Sequence, residues 1–112
     1  MSALAAVVPA LVAGSADAAD RQSSAYAQAL YAMSVAEQCG MVTPRAAAGF
    51  AAVERRLIAE EGLDQDGVTG ARSAAGIAFA SEYQNRGLGG ARGWCRTEGA
   101  EAVRRFEAVP LD

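Results

Sequence analysis

The sequence contains no histidine and no lysine. Without histidine it lacks the commonest neutral-pH general base and the commonest metal ligand. Without lysine, Schiff-base chemistry is excluded. Bulky side chains are also scarce, with three Phe, three Tyr and one Trp in 112 residues. Alanine fills 28 positions, so nearly half of the 52% hydrophobic content is single methyl groups. No apolar run reaches the roughly 20 residues needed to cross a bilayer, so no transmembrane span is expected. Ten arginines stand against 13 acids, for a net charge of −3. The resulting pI of about 4.9 argues against nucleic-acid binding, which leaves a basic footprint.

What the chain does contain begins with an apolar leader. Leu4 to Gly14 has the length of a signal-peptide core, and Ala16-Asp17-Ala18 fits the small-x-small pattern before a cleavage site. No Lys or Arg precedes the apolar run. The expected division is a cleaved signal peptide over 1–18 and a single helical domain over 19–112, placed in the periplasm or secreted. The alternative is a retained apolar helix that packs against a partner.

Two cysteines, Cys39 and Cys95, lie far apart and outside any CxxC or CxxCH motif, which disfavours thioredoxin-like chemistry and haem attachment. In an oxidising compartment such a pair reads as one structural disulfide. Closing a loop of that length stabilises a domain by roughly 4 kcal/mol.

Punctuation divides the remainder into four helices with no period-2 run, so the predicted fold is an all-α four-helix bundle tied by Cys39–Cys95. The first helix spans Asp20 to Cys39, with Tyr26, Leu30 and Met33 on one line and Ala27, Tyr31 and Val35 on the next. Gly40 stops it. Thr43-Pro44 starts the second helix, which runs to Glu61 and buries Phe50, Val53, Leu57 and Ile58. Leu63 to Val68 reads as a turn. The third helix is expected from Thr69 to Arg86, with Ala71, Ala75, Ala78, Phe79 and Tyr83 inward. Gly87 to Gly93 reads as a mobile loop. The fourth helix is expected from Trp94 to Ala108, packing Ala102, Val103 and Phe106 before Pro110.

Candidate sites are few. Glu60, Glu61, Asp64 and Asp66 form an acidic connector, but an EF-hand starting at Asp64 would need Gly where Thr69 stands and Glu at Ala75. The glycine run lacks the final glycine of GxGxxG, since Arg92 occupies it. Arg86, Arg92 and Arg96 flank Trp94, a combination enriched at protein interfaces, and this patch would suit an acidic surface on another protein or an anionic ligand. The alternative, which the residues favour, is Trp94 packed in the core with three solvated arginines around it. No serine has a histidine to activate it, and no catalytic residue or cofactor is assigned. The format is shared by acid-stress periplasmic chaperones and by small immunity proteins, and no motif selects either. The expectation is a non-enzymatic exported protein that binds another protein, such as an accessory subunit, inhibitor or chaperone. Its rival is a small-ligand or cation carrier using the helical interior or the acidic connector.

Deleting residues 1–18 is expected to leave helical circular dichroism and thermal midpoint unchanged. Loss of helicity or precipitation would instead place that segment in the core or in an obligate interface.

Overall fold

A computed structural model describes residues 24–86 and 90–111. The start expected at Asp20, Gly87–Gly89 of the expected loop, and the leader all lie outside the described residues. Among the described residues the fold is all-α with four helices: α1 (Ala25–Gln38), α2 (Pro44–Glu60), α3 (Gln65–Arg86) and α4. Helix α4 is continuous but irregular. It begins as an α segment (Gly90–Trp94), passes through a π-helical turn (Cys95–Gly99) and resumes as α over Ala100–Glu107.

The ends follow from side-chain chemistry. Ser24 and Thr43 accept from the amides of Ala27 and Ala46, satisfying donors that a helix start leaves open. Gly40 (φ 66°) and Gly62 (φ 64°) adopt the left-handed conformation that ends α1 and α2. At each end two backbone bonds close the turn: Met41 N to Ala36 O and Gly40 N to Glu37 O, then Leu63 N to Ile58 O and Gly62 N to Ala59 O.

Two boundaries differ from expectation. Helix α3 starts at Gln65 and not at Thr69, because the Asp64 carboxylate accepts from Gly67 N at 2.8 Å and caps it four residues earlier. Helix α4 starts at Gly90 and not at Trp94. Arg92, expected in a loop, therefore stands on an exposed helical turn.

Helix α1 is the shared element. Its start is tied to the end of α2 by Ala25 N to Glu61 Oε2 (3.2 Å) and by the Tyr26 hydroxyl donating to Glu54 Oε2 (2.7 Å). These contacts make α1 and α2 antiparallel. Helices α2 and α4 pack closely together against α1, whereas α3 lies along α1 and makes little contact with α2. The main core gathers Tyr26, Met33, Val53, Leu57 and Phe106 around small residues of all four helices. Phe50 meets Phe106 edge-on at 5.4 Å. A second cluster joins the end of α3 to the start of α4, where Phe79 and Tyr83 lie 5.4 and 6.4 Å from Trp94.

The disulfide forms as expected, with Cα atoms 5.6 Å apart. It fastens the C-cap of α1 to the π turn. Gly99 of that turn nests against it, since a Cβ there would stand 3.2 Å from Cys39 Sγ and 3.3 Å from Met41 Sδ.

Close approach replaces bulk most severely at Gly49, where a Cβ would lie 1.8 Å from the Phe106 carbonyl oxygen. Gly49→Ala must part α2 from α4, and is expected to cost about 1–3 kcal/mol or more in chemical denaturation. Gly70, exposed in α3 with open space around it, is the control. Gly70→Ala is expected to stabilise by about 0.5–1 kcal/mol.

Candidate functional site

The residues expected to form one basic, aromatic patch are divided by the fold. Trp94 is 1% exposed, packed under Phe79 and Tyr83. Arg86 lies over its indole, 4.8 Å from the ring centroid. The same guanidinium binds Glu98 at 2.8 Å and Glu82 at 3.2 Å, so Arg86 ties α3 to α4 and is not offered to a partner. Its Nε is buried without a hydrogen bond among the described residues. Arg92 and Arg96 are exposed and flank a shallow depression of about 340 Å³ beside Cys95. The patch as expected is therefore reduced to two arginines, and Trp94 belongs to the interior.

The acidic connector does not converge either. Glu60 pairs with Arg56 at 3.8 Å, Glu61 receives Ala25 N, and Asp64 caps α3. Asp66 stands in the first turn of α3, where a negative charge favours the helix dipole. Among the described residues no group of three or more His, Cys, Asp or Glu is arranged to hold a metal ion.

A second, larger concavity was not anticipated. A groove of about 760 Å³ runs between α3 and α4, with α1 as its floor. Tyr31, Ala32 and Val35 come from α1, and Ala74, Ile77, Ala78 and Ser81 from α3. The α4 wall is Glu98, Glu101, Ala102 and Arg105, and Glu82 closes the rim on the α3 side. The gap exists because α3 presents alanines where α4 would need a large side chain to meet it. Ile77, on the rim, is 65% exposed.

Tyr31 sits at one end. Its hydroxyl donates to Glu98 Oε1 at 3.3 Å. Burial, and then the Glu98 charge, push its ionisation above the ordinary tyrosine value. The Trp94 indole nitrogen makes no hydrogen bond of normal geometry, yet it lies close enough to the Tyr31 hydroxyl to ease its ionisation slightly. Tyr26 is raised in the same way, by burial and by Glu54. Sequence reasoning missed the groove because it is defined by which helices fail to meet. The only local signal was an unbroken uncharged stretch from Ser73 to Ser81, longer than a one-sided helix face requires.

No family model matches the chain, and no curated protein or solved structure shows significant similarity to it.

Both shifted tyrosines are raised, so the unfolded chain loses these protons first as pH climbs. The stability they contribute is complete below about pH 10 and declines as pH rises through their folded values. Denaturation midpoints should fall above pH 10, and Tyr31→Phe should flatten part of that fall. An ultraviolet tyrosinate titration of the native protein checks the direction.

Proposed function

We propose that this protein works without catalysis, by receiving a helical segment of another protein in the groove between α1, α3 and α4. The observation that carries this reading is the coincidence, along one side of the molecule, of a long open concavity, an alanine-rich α3 wall and an exposed Ile77. Alanine-lined walls let an incoming backbone approach closely, as small residues do between packed helices. An amphipathic helix laid in such a groove buries one face and leaves the other in water. A small ligand in so open a site would stay largely exposed, whereas small-molecule pockets bury about 70–90% of their ligand.

The absence of histidine and lysine from the sequence supports a binding role over an enzymatic one. The disulfide supports an oxidising compartment, hence export to the periplasm or beyond. No helix among the described residues is long and apolar enough to cross a membrane. The protein-binding expectation thus keeps its class but changes its surface. The groove replaces the arginine–tryptophan patch, whose tryptophan is buried and whose Arg86 is already paired. The cation-carrier alternative loses its support with the dispersal of Glu60, Glu61, Asp64 and Asp66.

Affinity capture from a periplasmic extract tests the proposal when run with two charge variants. Ile77→Asp alters an exposed rim residue and is expected to change stability by no more than about 0.5 kcal/mol. It should abolish capture, while Arg55→Glu, on an exposed part of α2, should not. A photo-crosslinker at Ser81 should trap the captured protein. Undiminished capture by Ile77→Asp would reject the groove as the binding surface.

A further inference from the structure

Resting on the groove reading, we infer that the segment received there is basic: a helix whose apolar face is flanked by Lys or Arg side chains. The inference comes from counting what the rim carboxylates have left to accept. Glu82, Glu98 and Glu101 all line the groove. Arg86 stands behind them, and one of its nitrogens spans Glu82 Oε2 and Glu98 Oε2. Tyr31 takes the remaining oxygen of Glu98. Arg86 therefore fixes two carboxylates in place at the rim without covering all of their acceptors. Glu82 keeps one oxygen open, and Glu101, exposed, has neither an ion pair nor a hydrogen bond among the described residues.

A carboxylate offers only acceptors, so what completes this rim is a set of donors, and charged ones bind most strongly. The one positive side chain of the lining, Arg105, does not supply them. It stands four residues from Glu101, the spacing of a helical ion pair, yet makes none. Its guanidinium lies over the Phe106 ring at 5.5 Å. The apolar floor and the acidic edge thus ask for one amphipathic pattern, alanine or leucine inward and basic residues at the border. An acidic or neutral helix would leave Glu101 desolvated and unpaired, which selects against it.

Peptide probes test the sign of the partner separately from the existence of the site. Three labelled amphipathic helices of about 15 residues (roughly four turns) share one Ala/Leu face and carry Lys, Gln or Glu at its borders. Each is titrated by fluorescence anisotropy into the full chain, at low and high salt. The Lys probe should bind at least about 5-fold more tightly than the Gln probe, and the Glu probe most weakly. High salt should erase the differences. Glu101→Gln should bring the Lys probe to within about 2-fold of the Gln probe, and Ile77→Asp should abolish binding of all three.

If the Gln probe binds, is lost in Ile77→Asp, and the Lys probe gains nothing over it, the basic partner is rejected and the groove stands. If no probe binds at either salt, both readings fall. The same holds if sedimentation shows that the chain itself pairs through Ile77 and excludes every probe.

Discussion

The Cys39–Cys95 bond is the constraint from which the other features of the upper end of the molecule follow. It holds the C-cap of α1 against α4, and α4 must satisfy that bond while burying Trp94 on one side and Ala102 and Phe106 on the other. A regular helix cannot do this. The buried positions of α4 are Trp94, Gly99, Ala102 and Phe106, whose first step is five residues. Five residues overshoot a full α-turn by about 140°. The π turn over Cys95–Gly99 absorbs the extra residue, with Ala100 N reaching back to Cys95 O. Thr97 assists by donating its hydroxyl to the Gly93 carbonyl at 2.7 Å. The disulfide and the small side of Gly99 then fit together, and Glu98, on the same turn, is carried to the groove rim.

A scarcity of large side chains shapes the remainder. Where the chain has bulk it spends it at two places, the Phe50–Phe106 core and the Phe79–Tyr83–Trp94 cluster. Helix α3 is pinned at both, by Ala71 in the first and by its two aromatics in the second. Between these anchors it carries Ala74, Ala75, Ile77 and Ala78, too short on the α4 side to close the gap. The groove is the space left between two fastened points. Its walls are held by helix–helix contacts that also make the fold.

Much of this was legible from residue type alone. The helix stops at Gly40 and Gly62 and the start at Thr43-Pro44 follow from local chemistry, which acts over a turn or less. The disulfide, which joins positions 56 residues apart, follows from there being two cysteines. The errors came where a cap competes with a turn signal. Asp64-Gln65-Asp66-Gly67 reads as a connector by composition, but Asp64 is a better N-cap than Thr69's neighbours, so α3 gained a turn. For Trp94, side-chain type leaves both an interface patch and the core open, with the core favoured. Burial, which depends on how α3 and α4 meet, assigned it to the interior. The five-residue step to Gly99 was present in the sequence, but only the disulfide and the tertiary contacts give it meaning. The groove had no local signature beyond an uncharged run in α3.

Arg86 connects these levels. In sequence it is one arginine of a basic patch, yet its guanidinium covers the Trp94 ring and gathers Glu82 from α3 and Glu98 from α4. Such a partly buried hub is costly to desolvate, and its hydrogen bonds to two carboxylates offset part of that cost. Here it bridges α3 and α4 beside the Phe79–Tyr83–Trp94 cluster, and it places two carboxylates at the edge of the opening between them. Without it, like charges on Glu82 and Glu98 would push the walls apart. With it, the walls are fixed, the local charge is only partly cancelled, and Glu101 remains as the unmatched group. The arginine expected to contact a partner instead holds two carboxylates at the border of the groove.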